Sequence, residues 1–173
     1  MIDIISANIE EVKIIKPKIH VDKRGYFFES FNQDNFYSKI DKIDFIQDNE
    51  SKSSFGVLRG MHYQKFPYEQ SKLIRVIKGK IQDVALDLRR ESFTYGQYAS
   101  VLLSDKNHKQ LFIPKGFAHG FLVLSKEAII SYKVDSPYNK KFEDGIMYNS
   151  KNFNINWELE DSDIILSNKD KKW

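Results

Sequence analysis

Hydrophobic and β-branched residues occur along the chain in short runs, and polar segments of a few residues separate these runs. This pattern predicts β-strands bounded by turns, since the 3.6-residue period of amphipathic helices is nearly absent. The predicted strands cover residues 12–15, 26–31, 57–59, 72–77, 81–88, 97–103, 110–113, 120–124 and 128–134. Many short strands at close spacing predict an all-β sandwich or barrel.

Turn signals lie between the predicted strands, at residues 22–25, 78–80, 104–107 and 114–116. Residues 73–81 are predicted to form a hairpin that turns at Lys78 and Gly79. Residues 32–40 predict one short helix with Asn32 or Asp34 as its N-cap, and residues 161–165 favour a final turn. Neither an internal repeat nor a linker is visible, so we expect one domain over residues 1–173.

Composition supports strands and narrows the function. Phe and Tyr dominate an aromatic content of 14%, which suits half-buried sheet faces. The net charge of +3 does not indicate a nucleic-acid partner and suits an anionic small molecule equally well. The absence of cysteine excludes disulfides and thiolate metal sites. Because Glu10, Glu11 and Lys13 interrupt the N-terminal apolar run, and no run is long enough to cross a membrane, we expect a cytoplasmic protein without a membrane partner.

Two of the four histidines, His62 and His119, lie in strand segments that also contain glycine. Glycine permits a close approach of backbone to ligand. A single histidine in such a place is more often structural, but two in similar settings favour a functional site. His20 and His108 lie in polar turns and are predicted to be surface residues.

Three cations, Arg59, Lys72 and Arg75, alternate with apolar residues along predicted strands. Alternation directs side chains to one face of a sheet, and a face that lines a barrel would direct these cations into the lumen. Buried cations need a carboxylate or a bound anion such as a diphosphate. A solvated outer face is the alternative, and these residues alone leave both open.

The sequence motifs around the two histidines resemble those of cupins. Pro114, Gly116 and His119 match the second cupin motif, and Gly56 followed by His62 matches the start of the first. Metal-binding cupins carry a further histidine where this chain has Gln64, and an asparagine after the second-motif histidine where it has Val123. The resemblance implies an all-β cupin, a double-stranded β-helix or jelly-roll barrel with a few short helices, and neither a metal nor a cofactor.

A closer resemblance runs from about residue 17 to residue 170. The chain is similar to the dTDP-4-dehydrorhamnose 3,5-epimerase family in residues 22–31, 47–53, 56–64, 70–76, 83–89, 113–121, 132–133 and 166–170. Each stretch alone is a weak signal, but their occurrence together and in order is specific.

The resemblance implies inversion of C3 and C5 in a nucleotide-linked 4-keto-6-deoxyhexose, converting dTDP-4-dehydro-6-deoxyglucose to dTDP-4-dehydrorhamnose. Proton removal next to a ketone needs a base, a group that holds the enolate oxygen, and an acid across the ring. By resemblance, His62 is the base with Asp170 as its partner, and Tyr132 is the acid. Lys72 is implied near the C4 oxygen, and we expect lumen cations such as Lys72 to lower the pKa of Tyr132.

The resemblance also implies a set of substrate contacts and a homodimer. Arg24 and Arg59 are implied at the diphosphate with His119 beside them, and Phe27 or Tyr138 would stack on the base. The loop with Arg24 and Phe27 is implied to cross to the partner of a homodimer. The full set is Arg24, Phe27, Glu29, Gln47, Asn49, Arg59, His119, Tyr138, Glu143 and Lys169.

The chain departs from the family after Glu143, where Met-Tyr-Asn-Ser-Lys at residues 147–151 lacks the usual Trp, Asn or Asp, Asp and Pro. We expect a looser surface loop near the nucleotide end. The position of Asp170 depends on a tail with only three further residues, ending at Trp173.

Three alternatives stay open from the sequence. The first is an epimerase acting at one carbon, or a 3,4-ketoisomerase, and Tyr132 favours the double epimerase over both. The second is a non-catalytic sugar-binding cupin, which the joint presence of His62, Lys72, Tyr132 and Asp170 disfavours. The third is a metal-dependent cupin oxygenase. Neither the nucleotide nor the exact sugar follows from the residues.

Overall fold

Two antiparallel β-sheets share one hydrophobic core in the computed structural model, which describes residues 2–173. The strands are β1 (Asp3–Ser6), β2 (Lys13–Lys16), β3 (His20–Asp22), β4 (Gly25–Phe27), β5 (Gln47–Ser54), β6 (Leu58–Gln64), β7 (Lys72–Lys78), β8 (Lys80–Asp87), β9 (Tyr98–Ser104), β10 (Gln110–Ile113), β11 (Phe117–Val123), β12 (Glu127–Val134) and β13 (Glu143–Gly145). One sheet has six strands in the order β1-β2-β10-β7-β12-β5, the other has five in the order β13-β6-β11-β8-β9, and β3 and β4 form a separate hairpin. This architecture confirms the predicted all-β class.

Helix α1 (Gln33–Lys39) confirms the predicted helix and settles its cap. The Asn32 side chain accepts a hydrogen bond from the backbone N–H of Asn35 at 3.0 Å, which satisfies one of the free donors of the first turn. Phe36 then packs on Leu73 and Phe112 at the outer face of the six-stranded sheet. Two 3₁₀ turns follow near the C-terminus, at Asp161–Asp163 and Asp170–Lys172.

Side-chain alternation gives the inner sheet faces an apolar end and a polar end. On β7 the inner positions are Lys72, Ile74 and Val76, and on β12 they include Ile130 and Tyr132. Ile74, Val76 and Ile130 are buried in the core between the sheets. Lys72 and Tyr132, each two positions from one of these apolar residues and on the same face of its strand, therefore open into a cavity at the edge of that core.

The predicted hairpin at Lys78 and Gly79 is wrong. β7 pairs with β10 and β12, whereas β8 pairs with β11 and β9, so the turn carries the chain from one sheet to the other. Gly79 has a φ of 88°, and a Cβ there would lie 2.2 Å from the carbonyl oxygen of Glu127. Both strands have buried inner faces, and the shared core holds them in opposite sheets rather than side by side.

The sequence pattern did not predict four of the strands, which are β1, β3, β5 and β13. β5 is the clearest case, because its sequence from Gln47 to Ser54 has no hydrophobic residue. It is an edge strand that pairs only with β12. Backbone hydrogen bonds to a buried neighbour stabilise it, and its polar side chains are free to line the cavity.

The C-terminal segment crosses the outer face of the five-stranded sheet. Gln82 on β8 donates to the carbonyl oxygen of Asn156 at 2.8 Å and accepts from the N–H of Glu158 at 2.8 Å. A parallel bridge between Val57 and Ile165 fixes the segment again farther along. These contacts determine where the last residues of the chain lie.

The departure at residues 147–151 does not produce the expected loose loop at the nucleotide end. Tyr148 is buried and packs with Leu58 and Leu122 beneath the C-terminal segment, and its own side chain does not line the cavity. Its carbonyl oxygen accepts a hydrogen bond from the Trp157 indole at 2.9 Å. The ring that replaces the family's tryptophan thus belongs to a small outer core.

Among residues 2–173, no helix has the length and hydrophobicity that crossing a membrane would require.

Candidate active site

A cavity with two adjoining lobes, of about 410 and 450 Å³, lies at the polar end of the core. His62, Lys72, Tyr132 and Lys169 line both lobes and therefore stand at their junction. The first lobe, called the outer lobe below, is also lined by Gln47, Asn49, Tyr63, Gln64, Gln70, Tyr138 and Glu143. The second, called the inner lobe, is also lined by Ser51, Val57, Leu58, Arg59, His119, Phe121, Ile165, Leu166, Ser167 and Asp170. The sequence-predicted catalytic residues come together in one space.

An irregularity in strand pairing places Arg59 and His62 on the same face of β6. His62 is opposite His119 on β11, and Arg59 is opposite Phe121. Three steps on β6 thus match two steps on β11, which is the signature of a β-bulge. Without the extra residue, strict alternation would direct Arg59 and His62 to opposite faces. The bulge lets both line the inner lobe.

His62 is paired with a buried carboxylate. Its Nε2 lies 2.5 Å from Oδ1 of Asp170, which is only 3% exposed. Ser167 fixes Asp170 at two points, since its hydroxyl donates to the carboxylate oxygen Oδ2 at 2.8 Å and accepts from the backbone N–H of Asp170 at 3.1 Å. Burial lowers the pKa of His62, and the carboxylate of Asp170 opposes that shift in part. The imidazole is therefore neutral near pH 7 and ready to accept a proton.

Lys72 approaches from the other sheet. It lies at the start of β7 and lines both lobes. Within the described residues, its ammonium forms neither a hydrogen bond nor an ion pair. Burial lowers its pKa to about 8, against weaker opposing effects of Asp83 and Glu143. A cation held in this way is available to an anionic or carbonyl oxygen of a ligand.

Tyr132 lies beside Lys72 on the same sheet, but its pKa moves opposite to the expectation. Burial raises the pKa of the phenol, and Arg59 lowers it only in part. The prediction that lumen cations would lower the pKa of Tyr132 is wrong, because the loss of hydration of the phenolate outweighs the attraction of Arg59. The phenol therefore keeps its proton across the neutral range.

Deeper in the inner lobe, His119 forms a second imidazole–carboxylate pair. Its Nε2 lies 2.9 Å from Oδ1 of Asp83, and both side chains are buried. The other oxygen of Asp83 has no partner among residues 2–173. Arg59 enters the same lobe, and its Nε donates to the hydroxyl of Ser53 at 3.0 Å. This lobe therefore combines a guanidinium and an imidazole with hydroxyl groups, which suits a phosphate.

The mouth of the outer lobe is a chain of polar side chains. The hydroxyl of Tyr138 donates to Oε2 of Glu143 at 2.9 Å, and Oε1 of Glu143 accepts from Lys169. Burial would raise the pKa of Glu143, but the hydrogen bonds from Lys169 and Tyr138 leave it lowered. Across the mouth, Gln47 donates to Asn49 at 2.7 Å on β5. All five residues were predicted as substrate contacts, and all line this lobe.

Three predicted substrate contacts lie outside the cavity of their own chain. Arg24 is on the β3–β4 hairpin and bonds to Asp22 at 2.6 Å, and Phe27 on the same hairpin is 71% exposed. Glu29 accepts hydrogen bonds from Asn32 and Asn35 beside helix α1.

The alternative in which all three cations enter the lumen is wrong. Lys72 and Arg75 are three positions apart on β7 and lie on opposite faces, so only Arg59 and Lys72 reach the cavity. His20 is exposed as predicted, whereas His108 is half-buried, with its ring tilted against those of Tyr26 and Phe28.

Sequence reasoning assigned no role to Asp83, Ser167 or Gln64, all of which contribute to the site. The alternation pattern could have identified Asp83, since this residue lies between Ile81 and Ala85 on the inner face of a buried strand. Ser167 had none, because its partner is known only from the fold. In the described part of the chain, no three His, Asp or Glu side chains group as a metal site would need.

Comparisons with known proteins agree with this geometry. The family model described as dTDP-4-dehydrorhamnose 3,5-epimerase matches residues 6–173. The enzyme of that name from Shigella flexneri is 48% identical over 169 residues, which is 97% of this chain and 92% of the relative.

Two solved structures have the same fold with ligands bound. One is a dTDP-6-deoxy-D-glucose-3,5-epimerase from Legionella pneumophila in complex with dTDP-4-keto-L-rhamnose, with a TM-score of 0.95, 44% identity, and coverage of 99% of this chain and 90% of that one. The other is a dTDP-4-dehydrorhamnose 3,5-epimerase from Bacillus anthracis with TDP and PPi bound, with a TM-score of 0.95, 40% identity, and coverage of 99% and 98%. These similarities confirm the predicted cupin-type barrel.

Proposed function

The chain belongs to the dTDP-4-dehydrorhamnose 3,5-epimerase family, and we propose that it inverts C3 and C5 of dTDP-4-dehydro-6-deoxyglucose to give dTDP-4-dehydrorhamnose. One observation carries the assignment of roles within the site. A single cavity receives His62 from the five-stranded sheet, and Lys72 and Tyr132 from the six-stranded sheet. A sugar ring between the sheets would have an imidazole on one side and a phenol on the other.

His62 acts as the base in this proposal. Because the carboxylate of Asp170 only accepts hydrogen bonds, Nε2 of His62 carries the proton and Nδ1 holds a free lone pair. Nδ1 takes the proton from the carbon next to the C4 ketone, and the C–H electrons form the enolate. The imidazolium that results lies against Asp170, which stabilises the new positive charge.

Lys72 holds the negative charge of the enolate. Its ammonium has no competing partner in the described chain, so it is free to donate to the C4 oxygen. Such a contact strengthens as charge develops on that oxygen, and therefore lowers the barrier rather than only tightening binding.

Tyr132 returns a proton to the opposite face of the ring. Its raised pKa keeps the phenol protonated at neutral pH, which is the form that an acid needs. The phenolate then regains a proton from solvent and His62 releases one to solvent, so the second carbon can react in the same way. Both carbons would therefore acquire a solvent hydrogen.

We propose that the inner lobe binds the diphosphate through Arg59 and His119, and that Tyr138 contacts the nucleotide base at the mouth. The ligands of the two solved relatives support this class of substrate. The proposed contacts in the outer lobe are completed by Gln47, Asn49, Glu143 and Lys169. A cytoplasmic location and the absence of a cofactor stay predictions.

The site is proposed to be complete only in a homodimer. Arg24 and Phe27 lie on a hairpin that does not reach the cavity of its own chain, and the exposed apolar residues on it suit contact with a second copy. Mixing two inactive variants tests this directly. If His62→Asn and Arg24→Ala protomers exchange freely, mixed dimers restore about a quarter of the wild-type activity, since half of the dimers then contain one intact site. No recovery on mixing would mean that Arg24 acts within its own chain.

Proton exchange tests the reaction itself. The protein is incubated with dTDP-4-keto-6-deoxyglucose in deuterated water, and NMR follows the ring positions. We expect deuterium at both C3 and C5, and no exchange in His62→Asn although that variant still binds the substrate. Tyr132→Phe should slow turnover more than it weakens binding.

Label at one carbon would instead indicate an epimerase acting at that carbon only. Binding without any label would indicate a non-catalytic sugar-binding protein.

A further inference from the structure

Two residues beyond His62 on β6, a buried amide connects three backbone groups. Nε2 of Gln64 donates to the carbonyl oxygen of Tyr68 at 2.7 Å and to that of Pro137 at 3.1 Å. Its Oε1 accepts from the N–H of Asn139 at 2.6 Å. Gln64 is 7% exposed, and both of its amide hydrogens are used. This side chain therefore has no donor left for a ligand.

Two of these three bonds flank one residue. Pro137 and Asn139 are the chain neighbours of Tyr138, so Gln64 fixes the peptide groups on both sides of it. Tyr138 lines the outer lobe and is 54% exposed, so packing alone does not hold its ring. Its position depends on the backbone and on one hydrogen bond, from its hydroxyl to Glu143.

Two further hydrogen bonds fix the residues before Tyr138 and do not involve the peptide groups on either side of it. Gln70 donates to the carbonyl oxygen of Ser136 at 2.7 Å, and the N–H of Ser71 donates to Asp135 at 2.7 Å. These contacts fix the start of the loop on the six-stranded side. Gln64 adds the connection to the strand that carries His62, and so relates the ring of Tyr138 to the base.

We propose that Gln64 is a positioning residue, which holds Tyr138 at the mouth of the cavity so that its ring meets the nucleotide base of the substrate. The proposal rests on the proposed function, in which Tyr138 contacts that base. Gln64 acts through Tyr138 and leaves the reacting carbons untouched. Its loss should therefore weaken binding of the nucleotide more than it slows chemistry.

Gln64→Met tests the proposal, because methionine has a similar length and makes none of the three hydrogen bonds. We expect KM for the nucleotide sugar and Kd for dTDP to rise about five- to tenfold, with kcat within about twofold of wild type. The same change is then made in a Tyr138→Ala background. If Gln64 acts through the tyrosine, its effect on KM there should fall below about twofold, because the group that it positions is gone.

Equal effects of Gln64→Met in both backgrounds would overturn the proposal, since they would show that Gln64 acts independently of Tyr138. An unchanged KM in the wild-type background would overturn it as well. If Gln64→Met does not fold, Gln64→Glu enters the same cycle, because it keeps the length and the acceptor and loses both donors. A wild-type protein that neither binds dTDP nor exchanges protons overturns the proposed function, whereas an active wild type with an unshifted variant overturns only the role of Gln64.

Discussion

Replacing Asp170 by asparagine removes one charge from the site and keeps the shape of the side chain. An asparagine side chain at this position would still be able to accept a hydrogen bond from Nε2 of His62, and Ser167 would still have a partner. The change therefore tests what the negative charge contributes, separately from the geometry. Asp170 is almost fully buried, so little solvent screens its interaction with the imidazole.

The expected loss follows from the strength of a charge-assisted hydrogen bond. Such a bond contributes about 1.5–3 kcal/mol, and in the proposed reaction its full strength appears only when His62 becomes positively charged. Since about 1.36 kcal/mol corresponds to a factor of ten in rate, we expect kcat for proton exchange to fall about tenfold to 100-fold. KM should change little because Asp170 lies behind His62 rather than against the sugar.

The pH dependence of kcat/KM provides an independent test of the same substitution. Burial already lowers the pKa of His62, and Asp170 opposes that shift. Without the charge, the pKa of His62 falls further, so the acid limb of kcat/KM moves to lower pH while the plateau falls. NMR of deuterium exchange at several pH values measures both quantities, with Asp163→Asn as the control because that carboxylate is exposed on the same segment. An acid limb that moves to higher pH, or a plateau within about threefold of wild type, would refute the reasoning.

Two further changes test the opposite sheet and the C-terminal turn. The folded-state pKa of Lys72, about 8, lies below its usual 10.5, so protonation of this amine costs folding free energy that accumulates as pH falls from 10.5 and is complete below about 8. Lys72→Met should therefore be inactive yet more stable by about 1–3 kcal/mol in calorimetry at pH 7, and a lower melting temperature would contradict this. In the wild type, kcat/KM should fall as pH rises through about 8, because Lys72 then loses the proton that the enolate needs, and a flat profile up to about pH 9.5 would argue against that role. A Cβ at Gly145 would lie 2.4 Å from the Trp173 ring, so Gly145→Ala should displace the turn with Asp170 and lower kcat about tenfold. If displacement is the cause, combining Gly145→Ala with Trp173→Ala should recover part of the lost kcat.

The family resemblance implied most of the site residues, Tyr132 among them, and strand alternation alone suggested only a set of lumen cations that included Lys72. The structure places Lys72 and Tyr132 on the inner faces of the neighbouring strands β7 and β12. The helix cap at Asn32 follows from local chemistry. The pairing of His62 with Asp170 spans 108 residues, and no local pattern predicts it apart from the family resemblance. Strict alternation of side chains along a strand does not predict the bulge that brings Arg59 to the same face as His62.

The errors share a physical cause, which is that partners in other parts of the chain decide the outcome. Lys78 and Gly79 form a turn as predicted, but each adjoining strand already has two hydrogen-bonded neighbours in its own sheet. The polar strand β5 exists because β12 lies beside it. Desolvation of Tyr132 depends on both sheets together, so the sign of its pKa shift could not be read from one strand. The one-domain organisation stays a prediction.

Since the proposed base projects from one sheet and the proposed acid from the other, the spacing of the sheets sets the distance between the two groups. That spacing is about 10 Å in sheet packings of this kind, and the side chains that maintain it are apolar residues such as Val76 and Ile130, which touch no ligand. Trimming one of them would let the two halves approach each other and change how a hexose ring fits, while the protein stays folded. Reduced turnover in such a variant would therefore report altered clearance around the sugar, and variants selected for new ring substituents should accumulate changes in this inner packing as well as along the cavity wall.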